Sequence, residues 1–464
     1  MNSTLPKLVL CFSLILLSIK ASATDYYFSN ESGNDSRSTT QAQNPDTPWK
    51  SINKLNAIFG SLKPGDAIYF KRGETFYGTI KATKSGSPGS PIKIDAYGSG
   101  AKPIITSFEK VSGWASIGNG RYESTNTFPN YESNIVTINE QIYEKGRFPN
   151  SDGPNGGYLS VSAFSGNSSV SSNELSGAPN FSNGEIVIRK NQWILDRHLI
   201  KSNSGSTINY HGSGAYNPTT GFGFFIQNHL STLDKFGEWF YNNSRKLNIY
   251  FGNTNPNNHT VRVATLENLL VKSYNVDHLL IQSLHFKDAN KDAIYIGEGR
   301  DVVINNTDIE FSGENGVTSL NIKELVIKNS RINYSLNTGL NLRYGNDNAI
   351  IRDNIIENSF PFHGGGQNED NNGNGIFVSG NNVLYTFGGN TVTNFSNRVI
   401  ESNIIIDGFA TNYGTPNYAK QNHHPQGSGI FLDDNVNNVS LIKNTIANTT
   451  YSGLKASNVF NVSV

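Results

Sequence analysis

From residue 277 the sequence repeats a short apolar motif at nearly regular intervals, and that periodicity restricts the chain to a stacked architecture. The repeats read "DHLLIQSLHF", "DVVINNTDIEF", "KELVIKNSRI", "NAIIRDNIIENS", "RVIESNIIIDGF" and "NVSLIKNTIAN". In each, a polar residue stands two after an aliphatic one: Ser283, Asn306, Asn329, Asp353, Ser402 and Asn444. The steps between them are 23, 23, 24, 49 and 42 residues, four of the five reading as one coil or one coil plus a loop. Strand-length units at this spacing cannot bury an apolar face alone, so they stack as a solenoid. A polar column inside such a stack is tolerable when each side chain bonds to the coil next to it, which predicts a buried ladder at these six positions.

A second strand column starts at a small residue: "AIYIGEG" from Ala293, then "GVTSLN", "GLNLRYG", "GIFVSG", "GIFLDD" and "GLKASN" from Gly316, Gly339, Gly375, Gly429 and Gly453. Strand side chains alternate between faces, so Ile294, Val317, Leu340, Ile376, Ile430 and Leu454 should face the lumen. The outward column is then Tyr295, Thr318, Asn341, Phe377, Phe431 and Lys455, and the next is Gly297, Leu320, Arg343, Ser379, Asp433 and Ser457. Aromatic and charged residues are not needed on the outside of a core, and their run predicts an exposed ligand groove. In this register Asp433 points outward beside Phe431, while Asp434 falls at the corner where the strand turns.

Upstream, "PWKSINKLNAIFGSL" sets Ile52, Leu55, Phe59 and Leu62 at helical spacing, a segment suited to capping the open apolar end. Strand-like runs follow in "GDAIYF", "GTIKA", "PIKIDAY" and "KPIIT". Residues 111–259 break the rhythm with longer aromatic strands and Gly/Ser/Asn loops, and read as an inserted β-rich domain. The division is thus 1–23 leader, 24–110 cap and first coils, 111–259 insert and 260–464 main coils, from "TVRVATLENLLVKS" onward. The last residues, "SNVFNVSV", begin another ladder strand, so the coils are expected to continue past Val464.

The leader "MNSTLPKLVLCFSLILLSIKASA" has Lys7, a short apolar run and Ala21-Ser22-Ala23, the pattern of a cleaved signal peptide, which predicts export with the mature chain starting near Thr24. Cys11 is the only cysteine, so the mature chain has no disulfide. Losing Lys7 and Lys20 changes 37 bases and 37 acids to 35 and 37, and a nearly neutral chain without basic runs argues against a nucleic-acid partner. Nothing after the leader is long and apolar enough for a membrane span. An exported, monomeric, all-β protein is the expectation.

The opening "DYYFSNESGNDS", "TPWKSINKLN", "LKPGDAIYFKRGETFYGTI" and "SGSPGSPIKIDAYG", followed by the Asn-rich coils, resembles secreted right-handed parallel β-helix proteins of the carbohydrate-active type. The insert's "KGRFPNSDGP" and "NHLSTLDKFGEWFY" resemble a subgroup related to β-helical glycoside hydrolases, and more distantly to polysaccharide lyases. The resemblance implies a polysaccharide substrate, and catalytic carboxylates on or beside an exposed strand column under loops of the insert. The matching positions are Asp433 and Asp434. Coils about 4.8 Å apart mean that acids one coil apart suit a retaining pair and two coils apart an inverting pair.

Ser457, not an acid, follows Asp433 in its column, so the partner is expected from a loop or from coils beyond Val464. "FHGGGQNEDNNGNG" offers Glu369 and Asp370, with His363 for substrate; "NYAKQNHHPQG" offers His423 and His424, of which His424 is the substrate-binding candidate. Tyr295, Phe377 and Phe431 are candidate sugar platforms beside Asn341, and Arg343 and Lys455 would favour an acidic glycan. No metal set is fixed by spacing and no cofactor is expected, except calcium if the chemistry is lyase-like. Asp234 and Glu238 are expected to hold a turn around Trp239, and Arg147 to tie the insert to the coils. A glycan-binding module without catalysis is the alternative from another class.

Overall fold

The computed structural model describes residues 23–464 apart from 192, 213–215, 367–368, 371–372, 381–396, 409–426 and 435, with backbone alone at 369 and 370. The leader through residue 22, His423 and His424 lie outside the described residues, as do the side chains of Glu369 and Asp370.

Three parallel sheets wind around one apolar lumen. The first has ten strands from Asp25–Phe28 to Phe460–Ser463, the second eight from Thr75–Tyr77 to Thr445–Ala447, and the third eight from Ile80–Ala82 to Ser452–Ala456. The lumen series occurs as expected: Ile294, Val317, Leu340, Ile376 and Ile430 stand in register and are buried, with Leu454 packed against them. The helix Ile52–Phe59 begins at Ser51, whose side chain accepts the Lys54 N–H, and buries Ile52, Leu55 and Phe59 in that core. It packs on Ile80–Ala82, the first strand of the third sheet.

The polar column lies one residue from its expected place. Ser283, Asn306, Asn329, Asp353 and Ser402 have φ between 50° and 59°, the left-handed corner of the coil, where Asn and Asp are tolerated and solvent is near. The buried ladder is the next residue along. Asn354 Nδ2 donates to Asn403 Oδ1 (3.0 Å), and Asn403 Nδ2 donates to Asn444 Oδ1 (2.9 Å). Each of these oxygens also accepts the backbone N–H of the preceding ladder residue, at 3.1 Å. In the last repeat Lys443 takes the corner, so Asn444 alone of the six expected positions is in the ladder.

The glycines that open the third-sheet strands have a steric cause. A Cβ on Gly375 would come within 2.3 Å of Ile405 Cγ2 and 2.8 Å of Gly429 O. Glycine lets the corner close tightly onto the isoleucine of the second sheet.

Between Ile104–Thr106 and Leu270–Lys272 the chain leaves the coils and forms antiparallel sheets. The solenoid is unbroken across this excursion, because Leu279 pairs with Ile92 and His285 with Ile104. Val261–Ala264, which the sequence gives to the returning coils, is instead antiparallel to Val136–Ile138 and to Phe108–Lys110. Period-two alternation is the same in both settings and does not distinguish them. The excursion docks on the corner between the second and third sheets, where Ile135 and Ala264 meet Phe311 and Leu336, and Val187 and Phe225 meet Phe360.

Candidate functional site

The outward face of the third sheet pairs as the sequence predicts: Asn341 with Phe377, Phe377 with Phe431, Phe431 with Lys455, and Ser379 with Asp433. The Phe377 and Phe431 rings stand 5.3 Å apart at 55°. The Arg343 guanidinium is 5.8 Å from the Phe377 centroid, and the Lys455 ammonium is 3.9 Å from that of Phe431. Asn341 Oδ1 accepts the Arg343 Nε–H at 3.2 Å and so orients the guanidinium.

This is not the open stripe expected from the sequence. Phe377 and Phe431 are only 6% and 2% exposed, and Asn341 is buried as well. Each ring is covered on one side by its neighbour in the column and on another by a cation, so the face presents charge over aromatic carbon. Tyr295 lies three coils from Phe377, about 14 Å at the usual strand spacing, and is bonded to the Tyr274 hydroxyl (3.3 Å) instead. The structure therefore gathers Asn341, Arg343, Phe377, Phe431, Asp433 and Lys455, and leaves Tyr295 apart.

Asp433 ends the strand Ser428–Asp433 and is partly buried. Burial, then the neighbouring Asp434 carboxylate, pushes its pKa up; the Asp434 N–H, the Ser457 hydroxyl and Lys455 oppose that shift. The Asp434 N–H donates to Asp433 Oδ1 at 2.9 Å, and Asp434 takes φ of 55°, the corner position expected of it. Burial holds the Lys455 ammonium below its ordinary value, with Asp433 pulling the other way.

His363 is elsewhere. It stacks on Phe360 (5.6 Å, 18°) and its Nδ1 is 3.1 Å from the Tyr158 hydroxyl, in the seam between insert and coils. The backbone of Glu369 and Asp370 pairs antiparallel with Leu195 and Ile194 of the insert, in the connection between the strands Ile355–Ser359 and Ile376–Ser379. Among the described residues no group of three or more His, Cys, Asp or Glu gathers as metal ligands, and calcium finds no built set there.

Two readings of the insert resolve differently. Glu238 Oε2 accepts the backbone N–H groups of Asp234 and Lys235, both at 2.8 Å, and Trp239 is buried beside it, the turn-holding role expected. Arg147 stays within the insert, donating to Pro149 O and Gly157 O and lying 3.5 Å over Phe225. Among the ties to the coils is Arg197, which donates to Gly365 O and Gly366 O and pairs with Glu132 and Glu185, alongside Gln227 Nε2 on Gly364 O and Asn134 on Asn290. Its partners lie between 12 and 169 residues away in the chain, so no local motif marks it.

Residues 270–464 match the family model described as a right-handed β-helix region. A lacto-N-biosidase of Bifidobacterium longum subsp. longum is 37% identical over 116 residues, 23% of this chain and 7% of that protein. The chain thus aligns with a small fraction of that relative's length. A solved structure described as a glycoside hydrolase superposes with TM-score 0.62 at 12% identity, covering 94% of this chain and 97% of the other. The complex of XylC with xylose gives TM-score 0.50 at 11% identity over 95% and 65% of the two chains. Both likenesses are of fold. The chain is a right-handed parallel β-helix protein with an antiparallel β-rich excursion.

Proposed function

We propose that this protein is a carbohydrate-active enzyme, a glycoside hydrolase that cleaves a polysaccharide at the outward face of the third sheet, with Asp433 as general acid. The observation that carries this reading is the partly buried Asp433 beside Lys455 and the Phe377–Phe431 pair, where burial raises its pKa. A carboxyl whose pKa is raised by burial is the member of a carboxyl pair suited to deliver a proton to the glycosidic oxygen as the C–O bond breaks.

The second carboxylate, acting on the opposite face of the sugar, would come from Glu369 or Asp370, which the insert holds by backbone pairing. Arg343 and Lys455 would receive an anionic substituent, and their packing on the rings limits how far they can move. The partial likeness to a lacto-N-biosidase supports glycosidic chemistry. Action outside the cytoplasm, after removal of residues 1–23, is part of the same proposal.

The deciding experiment screens neutral, uronic and sulfated glycans with the wild type and Asp433→Asn. Release of reducing ends that falls about 10²–10⁴-fold in the variant is expected of a lost general acid. Products that absorb in the ultraviolet through a new double bond would select a lyase. Glycan binding without any product, unaffected by Asp433→Asn, would select a binding module.

A further inference from the structure

Lys145 and Asn134 have no place in the chemistry above. Both side chains are buried in the seam between insert and solenoid. They flank the hairpin in which Val136–Ile138 pairs with Gln141–Ile142. Lys145 Nζ donates to Asn134 Oδ1 at 3.1 Å and lies 5.5 Å over the Trp239 ring. The same oxygen accepts from Arg197 Nη1, also at 3.1 Å. Asn290 of the solenoid accepts on the other side: its Oδ1 takes the Asn134 backbone N–H (2.6 Å) and its backbone carbonyl takes Asn134 Nδ2 (3.1 Å). Two cationic donors at one end of the carboxamide and a carbonyl at the other fix which end is oxygen.

A lysine touching an amide carbonyl ordinarily does nothing, because the ammonium has no lone pair to offer and the amide carbon is a poor electrophile. Both obstacles are lowered here. Burial, then Arg197, brings the Lys145 pKa down to about 8, with Glu185 and Glu132 pulling the other way. Roughly a tenth of the side chain is then free amine at pH 7. Arg197 Nη1 is placed to stabilise the negative charge that Oδ1 takes on as Cγ becomes tetrahedral. Packing against Trp239 and Asn290 holds amine and carboxamide together, so no encounter in solution is needed.

We propose that Lys145 and Asn134 join through an intramolecular isopeptide bond. The Nζ–Cγ bond forms and the Cγ–Nδ2 bond breaks. The proton that Nζ sheds goes to Nδ2, which leaves as ammonia, so the exchange consumes no oxidant or reductant. The product is a neutral amide in place of a buried ammonium, which is the less costly group to keep out of water. It closes the hairpin covalently beside the point where Asn290 holds the insert.

The test is mass spectrometry of the purified wild-type chain, denatured before measurement. Its intact mass should lie about 17 Da, one ammonia, below the value calculated for its sequence. Trypsin should fail to cut after Lys145, leaving residues 122–147 as one peptide with the same deficit. Lys145→Met and Asn134→Ala should each show no deficit. Because the wild type carries the deciding measurement, a variant that fails to fold does not block the result. A wild-type mass without the deficit would overturn the proposal. So would a deficit with normal cleavage after Lys145, since a succinimide at Asn134 loses the same ammonia and leaves the lysine free.

Discussion

At the residue scale, two carboxyls are held in opposition to their surroundings. Asp433 has its folded pKa raised, so its contribution to stability is full below the ordinary carboxylate range and is lost as pH rises through the folded value. Asp433→Asn removes the penalty of ionising a partly buried group. The variant should therefore melt higher than the wild type at pH 7, with the gap closing as pH falls towards 3, while losing activity; calorimetry at both pH values checks it. A stabilised but inactive variant is what a group kept for chemistry would give. Glu238 is the counterpart without chemistry. Burial raises its pKa to about 7 despite two backbone donors. Stability should decline between about pH 4.5 and 7 in the wild type, and Glu238→Gln should flatten that decline in a series of urea titrations.

At the scale of the element, the corner of each coil decides more than the strand. The strands are three to seven residues long and carry ordinary alternation, whereas the ladder Asn354–Asn403–Asn444 joins three successive coils. Asn403 donates to Ile351 O and Asn444 Oδ1 and accepts from Asn354 twice. Asn403→Ala should cost about 2–4 kcal/mol, since it leaves buried partners unsatisfied on both sides, and denaturant midpoints measure the loss. Gly375→Ala should be destabilising by a different route, because its methyl meets Ile405 and the Gly429 carbonyl; combined with Ile405→Ala, the loss should be smaller than the sum of the two single losses.

At the scale of the whole molecule, the insert is attached by a charged clamp over an apolar contact. Arg197 reaches across the seam to Gly365 O and Gly366 O while Glu185 and Glu132 hold it from the insert's side. Arg197→Ala strands Glu185, which is also bonded to Gln227 Nε2 at 2.9 Å, and should cost about 3 kcal/mol. Limited proteolysis should then cut around residues 364–366 faster than in the wild type. Because the same connection carries Glu369 and Asp370, proposed above as sources of the second carboxylate, the variant should also lose activity.

The sequence by itself determined the solenoid, the lumen series and the outward column down to the pairing of Phe377, Phe431 and Lys455, because a period of one coil and a strand period of two leave little freedom. It also separated Asp433 from Asp434, since the strand must end where the alternation ends. The ladder was displaced by one residue because Asn and Ser suit both a left-handed corner and a buried amide stack, and adjacent positions carry both. Burial of the aromatic pair, the separation of Tyr295, the assignment of Val261–Ala264 to the excursion and the Arg197 clamp were decided only by the tertiary structure. Each depends on which groups from distant parts of the chain come to lie over a given face, and that is a property of packing between coils and insert that no local pattern encodes.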